Sequence, residues 1–219
     1  MLRPEAMTSS TLSGSKPLRV PAIILGCSYF LAIALLGPLL GSSADASTAF
    51  SEHFADDGNR ARDLLGSLAL LVAAASLVWT LVSARTATLT RSGTLRDLSM
   101  ISGGITASTL VVAAGLLITV PLTTAIGDVT DDPGIDPGVQ AGIAQAGTVL
   151  VLVAALCLAV ATVLVARLGR ESGAVPRWVS ATAWATAATL VLGVSVGLLM
   201  PFAAWAIALG IAWKARPAA

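Results

Sequence analysis

Charged residues are scarce in this chain, and five long stretches contain none at all. Only 11% of its 219 residues are Asp, Glu, Lys or Arg, whereas about 25% is usual for a globular domain. The stretches that lack these residues and histidine are 20–41, 64–83, 101–121, 143–166 and 178–213. Uncharged apolar runs of about 20 residues match the hydrocarbon core of a membrane. The sequence therefore predicts an all-α, polytopic membrane protein and argues against a water-soluble domain.

Cysteine and histidine are nearly missing as well. The two cysteines, Cys27 and Cys157, both lie in apolar stretches, where cysteine behaves as a small hydrophobic residue, so we expect no disulfide framework. The apolar stretches also lack the buried ionisable residue that usually marks a proton- or ion-coupled transporter. We expect no cofactor, and no nucleic acid as a partner.

The fifth stretch decides how often the chain crosses the membrane. At 1.5 Å per residue, a helix over residues 178–213 would be about 54 Å long, too long for one crossing and slightly short for two. One interpretation is a long fifth helix with an interfacial tail. We favour a hairpin of two short helices broken near Met200-Pro201, because it returns Lys214 and Arg216 to the side that holds most basic residues. The predicted bundle has six transmembrane helices with a short C-terminal hairpin, over about residues 20–41, 64–83, 101–121, 143–166, 178–197 and 200–214.

Basic residues orient this bundle. Eleven of the thirteen Lys and Arg residues fall on one side in the six-span arrangement, and only Arg60 and Arg62 fall on the other. The side rich in Lys and Arg faces the cytoplasm in most membrane proteins, so both termini are predicted to be cytoplasmic. We expect residues 1–19 to form a disordered cytoplasmic tail and residues 20–216 to form the transmembrane domain. The first apolar stretch is longer than the core of a cleaved signal peptide, so we expect it to be retained.

Capping residues sharpen the ends of the fourth span. Asp136-Pro137 offers an N-cap followed by proline in the first helical turn. Ser172-Gly173 is typical of a helix C-terminus. We therefore expect this helix to extend beyond its apolar stretch at both ends.

Small residues recur at every fourth position of the predicted fifth span, and such stripes let helix backbones approach closely in a membrane. The stripe consists of Ala181, Ala185, Thr189, Gly193 and Gly197. We expect it to pack inside the bundle against the sixth span. The alternative is a contact face for a homo-oligomer or a membrane partner protein.

Two pairs of polar residues are candidate sites. Tyr29 and Gln145 each need a polar partner in hydrocarbon, and a shared cavity would provide one. His53, the single histidine, lies four residues before Asp57, so one helical face would present an imidazole and a carboxylate to a metal. A lone histidine is weak support for a metal site, and we favour a solvated surface. No catalytic, cofactor or metal site is predicted.

Three local patterns resemble those of the uncharacterised six-helix membrane proteins of actinobacteria, which are classed as domains of unknown function. The patterns are Gly37-Pro38, the segment 50–54 leading into Gly58-Asn59-Arg60, and a closing hairpin with Pro201 and Trp205. The resemblance covers residues 20–216 and implies no functional residues. Together with heavy use of Ala, Leu, Val and Gly and with eleven Arg against two Lys, it leads us to expect a bacterial cell (inner) membrane protein.

The favoured role is structural, accessory or partner-interacting, because the loops are too short for a folded soluble domain. A carrier or channel for a small neutral or apolar molecule is the alternative. An enzyme is the least favoured class.

Overall fold

Helices make up nearly all of the part of the chain that the computed structural model describes, which is residues 18–40, 52–87, 93–130, 136–192 and 199–213. Those ranges contain no β-strand, so the all-α prediction is confirmed. The long helices are α1 (Arg19–Leu40), α2 (Asp57–Ala87), α3 (Gly93–Thr130), α4 (Pro137–Glu171), α5 (Arg177–Val191) and α6 (Met200–Ala212). Residues 52–55 add a short helical turn before α2.

Four helices, α1 to α4, are long and apolar enough to cross a membrane. The last two, α5 with 15 residues and α6 with 13, are shorter than the ~20 residues that a perpendicular crossing needs. Residues 193–198 between them lie outside the described ranges. Four helices that are long and apolar enough to cross a membrane are thus confirmed, and the six-span count with its terminal hairpin stays a prediction.

Helices α2, α3 and α4 extend several residues beyond the apolar stretches that predicted them. The reason is visible at α4, where Asp136 caps the N-terminus by accepting from the backbone N–H of Gly138 and Val139. At the other end Gly173 has a φ of 71°, which glycine adopts without strain after a helix. Hydropathy reports only the apolar part of a helix, whereas the caps set its length.

Helices that are neighbours in the chain pack against each other, and α1 also packs against α6, so the described helices close into a ring. Successive helices run antiparallel. Arg85 at the end of α2 lies 4.0 Å from Asp97 at the start of α3, and a Cβ on Gly210 near the end of α6 would lie 2.9 Å from the carbonyl oxygen of Arg19. The hydroxyl of Ser102 on α3 adds a bond of 2.9 Å to the carbonyl oxygen of Cys157 on α4.

The two ends of the ring carry opposite charge. One, which we call the basic end, holds Arg19, Arg85, Arg96, Arg167, Arg170 and Arg177, with Asp97 and Glu171. The other, the acidic end, holds Glu52, Asp56, Asp57, Asp63 and Asp136, with His53, Arg60 and Arg62. The charge segregation seen along the sequence is therefore a segregation between the ends of the fold.

The interior of the ring is packed with apolar and small side chains. Tyr29, Leu70, Leu110, Leu158 and Phe202 are among the largest that are fully buried. Two buried hydroxyls bond within their own helices, since Thr80 donates to the carbonyl oxygen of Ser76 at 2.7 Å and Thr162 donates to that of Leu158 at 2.7 Å. These side chains therefore need no water inside the ring.

Candidate functional site

Polar contacts concentrate at the acidic end, where the turn 52–55 folds against the start of α2. Asp56 caps α2, because its Oδ1 accepts from the backbone N–H of Gly58 at 2.6 Å and of Asn59 at 3.1 Å. The side-chain amide of Asn59 donates to the carbonyl oxygen of His53 at 3.2 Å. These bonds bring the turn back over the first turns of α2.

His53 pairs with Asp63. Its Nε2 lies 2.7 Å from Oδ2 of Asp63, whose side chain is 1% exposed, while that of His53 is 21% exposed. The buried ring of Phe54 packs edge-on against the imidazole, with the ring centroids 5.1 Å apart. A buried carboxylate without a partner is costly in free energy, and the imidazole of His53 is the partner that stabilises Asp63 in this position.

The two weak metal candidates, His53 and Asp57, contact different partners. His53 contacts Asp63, and Asp57 forms an ion pair with Arg60. Among the described residues, no group of three His, Cys, Asp or Glu side chains lies close enough together to hold a metal ion. The contacts that join the turn 52–55 to α2 are those of His53 with Asp63 and of the His53 carbonyl oxygen with Asn59.

Sequence reasoning missed Asp63 because it assumed one continuous helix through residues 53–57. The chain bends at Asp56, which caps a new helix, so the spacing of four residues between His53 and Asp57 does not place them on one face. A usable signal was present, since Asp63 directly precedes the apolar stretch 64–83. An acid at the edge of a membrane-crossing stretch needs a partner.

The structure does not bring Tyr29 and Gln145 together. Tyr29 is buried inside the ring and packs edge-on against Phe202, with the ring centroids 5.0 Å apart. Gln145 lies on the exposed surface of α4. A polar cavity shared by these residues is therefore not part of the described structure.

A small cavity lies inside the ring, in the half nearer the basic end. Its volume is about 20 Å³, which is room for about one water. Its polar lining residues are Thr80 and Thr162, and both hydroxyls donate within their own helices. The cavity is thus too small for a metabolite in this conformation.

The two described alanines of the small-residue stripe lie on the outer face of α5, and the expected packing of the stripe against α6 stays a prediction. Ala181 and Ala185 are exposed and Thr189 is half-buried, while Gly193 and Gly197 lie outside the described residues. The inward face of α5 carries Val179, Ser180, Ala183, Thr186, Ala187 and Leu190. Larger apolar side chains bury more area, and Val179 and Leu190 therefore set the inward face.

Glycine meets the backbone of a neighbouring helix where α1 meets α6, which we call the closing seam. A Cβ on Gly26 would lie 2.7 Å from the carbonyl oxygen of Ala203, nearer than any real side chain is found. A Cβ on Gly210 would lie 3.1 Å from the Cβ of Ala22. Glycine thus brings the two backbones together at this seam.

A groove opens on the outer surface of the acidic end, between the start of α2 and the end of α3. We call it the α2–α3 groove, and its volume is about 480 Å³. The described residues that line it are Asp57, Arg60, Ala61, Leu64, Pro121, Leu122 and Ala125. Charged groups stand at one side of this groove and apolar groups at the other.

The chain matches no protein-family model, no curated protein and no solved structure. The resemblance to uncharacterised six-helix membrane proteins therefore stays a prediction.

Proposed function

We propose that the protein spans a bacterial cell membrane six times and serves there as a structural or accessory component that binds a partner through α5. The partner is a second copy of the chain or another membrane protein. The observation that carries this proposal is the outward position of Ala181 and Ala185, on a helix whose inner face is already packed. Small residues on a lipid-facing surface allow another helix to approach closely.

Burial of α6 supports the six-span count. Phe202 and Trp205 are buried, Phe202 packs against Tyr29 of α1, and Nε1 of Trp205 donates to the carbonyl oxygen of Val179 on α5 at 3.1 Å. A helix lying flat on the membrane surface would keep one face in water. The α6 helix instead completes the ring, and a hairpin of α5 and α6 accounts for that position.

The charge difference between the ends supports the orientation. The basic end holds six of the arginines in the described ranges, and the positive-inside rule places such an end in the cytoplasm. Both termini would then be cytoplasmic, and the acidic end would face outward.

The filled interior favours this role over that of a carrier or channel. In the part of the ring that the structure describes, a continuous cluster of buried apolar side chains surrounds the cavity with room for about one water. A carrier for a small neutral molecule would have to open the ring by separating packed helices.

The test is assembly in native membranes. A double variant, Ala181→Leu with Ala185→Leu, places bulky side chains on the outward face of α5. Ala75→Leu is the matched control, because Ala75 is exposed on α2, away from that face. We expect chemical cross-linking to trap the wild type and Ala75→Leu in a dimer or in a complex with one defined membrane protein, and the double variant to lose it. A wild type that stays an uncrosslinked monomer contradicts the proposal.

A further inference from the structure

The α2–α3 groove lies at the depth where lipid head groups meet hydrocarbon. The charge-free stretch of α2 begins at residue 64, and that of α3 ends at residue 121. Asp57 and Arg60 lie before this boundary, while Leu64 and Pro121 lie at it. In the membrane arrangement proposed above, on which this inference rests, the charged side of the groove is level with the head groups and the apolar side is level with the first acyl carbons.

The local sequence explains why a groove remains between these helices. Pro121 lies inside α3 and cannot donate the backbone hydrogen bond of a regular helix, which bends most helices. The facing residues Ala61 and Ala125 are too small to fill the space. All the lining residues that the structure describes thus belong to the helix pair α2 and α3.

The charged side of the groove presents one cation and one anion next to each other. Arg60 forms an ion pair with Asp57; the Arg60 side chain is packed to 12% exposure, whereas that of Asp57 is 92% exposed. A guanidinium fixed in this way binds phosphate oxygens well, and the exposed carboxylate is available to an ammonium group. A phosphate and an ammonium a few bonds apart complement this pair.

We propose that the α2–α3 groove binds a zwitterionic phospholipid with a primary ammonium in its head group, such as a phosphatidylethanolamine. The phosphate contacts Arg60, the ammonium contacts Asp57, and the start of an acyl chain lies on Leu64 and Leu122. An anionic lipid such as phosphatidylglycerol fits less well, because it brings no cation to Asp57. The groove therefore selects by head group as well as by depth.

The test is lipid retention by the full-length protein in a mild detergent. Delipidated protein is mixed with micelles that contain equal amounts of phosphatidylethanolamine and phosphatidylglycerol with identical acyl chains, and the bound lipid is counted by native mass spectrometry. We expect the wild type to retain one phosphatidylethanolamine in clear preference. Arg60→Gln should reduce that retention about tenfold, because it removes a charge-assisted contact to phosphate.

Asp57→Asn separates the two halves of the head group. It should keep lipid bound but abolish the preference for phosphatidylethanolamine, since the phosphate contact survives and the ammonium contact does not. Arg62→Gln is the matched control, because Arg62 is two residues away, lies outside the groove lining and donates to the carbonyl oxygen of Ala34. Its lipid retention should equal that of the wild type.

A second variant, Ala125→Leu, fills the groove and tests the proposal even if Arg60→Gln does not fold. It keeps both charges and occupies the apolar side, so it should also lose the retained lipid. Equal retention of both lipids by the wild type, or unchanged retention in both Arg60→Gln and Ala125→Leu, overturns the proposal. Displacement by soluble phosphoethanolamine at a concentration similar to that of the lipid also overturns it, because the apolar side would then contribute nothing.

Alkaline carbonate extraction, run in parallel, tests membrane integration separately. Release of the protein from membranes would refute the six-span arrangement, whereas selectivity for lipid in micelles is read independently of that result. The two proposals can therefore fail separately.

Discussion

The closing seam and the α2–α3 groove are two contacts between antiparallel helices of one ring, and they differ in what lies between the backbones. At the closing seam, Gly26 and Gly210 leave no room for even a methyl group. At the groove, Pro121 and small side chains leave a pocket whose other side is an ion pair. The glycines of the closing seam meet backbone atoms and Ile207 of the opposing helix, whereas Ala61 and Ala125 lie on either side of an open space beside Pro121. A small residue therefore closes a helix contact where the neighbouring helix comes close, and leaves a pocket where it does not.

The largest effect is expected from Gly26→Leu in the closing seam. The new side chain would collide with the backbone of α6, and overpacking of this kind costs typically 1–3 kcal/mol and sometimes more. Unfolding in increasing amounts of a denaturing detergent, followed by circular dichroism, measures it. Ala125→Leu in the groove adds side-chain volume where space exists, so it should leave the unfolding midpoint unchanged. An equal fall of the midpoint in both variants would remove the distinction between the closing seam and the groove.

The next effect is expected from His53→Ala, which acts at the start of α2 beside the groove. It leaves the carboxylate of Asp63 buried without the imidazole, and an unsatisfied buried group costs roughly 1–3 kcal/mol. We expect a lower unfolding midpoint and faster proteolysis near the turn 52–55. The double variant His53→Ala with Asp63→Ala should regain part of the lost stability, because no buried carboxylate remains. A double variant that loses as much stability as the two single variants together, or more, would contradict the pairing.

A smaller effect is expected from Trp205→Phe, which tests how α6 is held on the side opposite the closing seam. The variant keeps most of the apolar area but removes the hydrogen bond to the carbonyl oxygen of Val179, a loss of about 1 kcal/mol. The same unfolding assay measures it. Trp184→Phe is the matched control, because Trp184 is exposed on α5 and its replacement should change nothing.

The smallest effect, of opposite sign, is expected from Gly115→Ala on α3. A Cβ at Gly115 meets no atom within 4 Å, so the gain in helix propensity, up to about 1 kcal/mol, is not offset by a clash. Gly210→Ala gains the same propensity but meets the carbonyl oxygen of Arg19 and should lower the midpoint. A higher unfolding midpoint in both variants would show that helix propensity outweighs the clash at Gly210.

The sequence predicted helices α1 to α4 because each contains a long charge-free stretch, and it predicted both ends of α4 from Asp136 and Gly173. Hydropathy carries such information since it depends on each residue alone. The sequence did not predict which glycines form the closing seam. Gly26 and Gly210 do not recur in a stripe, and they lie on the first and the last helix, which are far apart in the chain.

The candidate site was predicted only in part. His53 was a candidate because it is the single histidine of the chain. Its partner Asp63 was missed, because the two meet only through the bend at Asp56, which residue spacing along one continuous helix does not take into account. The groove was not predicted at all, since it arises between Arg60 and Pro121, which are far apart in the chain and meet only when α2 and α3 pack.

Labelling of single cysteines in intact cells tests the central claim, six crossings that complete the ring, most directly. With Cys27 and Cys157 replaced by serine, a cysteine is placed in turn at Asp136, Ser172 and Arg216, and a membrane-impermeant maleimide is added outside. We predict labelling at position 136 alone, with positions 172 and 216 labelled only after the membrane is opened. Labelling of position 216 from outside, as readily as position 136, would contradict the account.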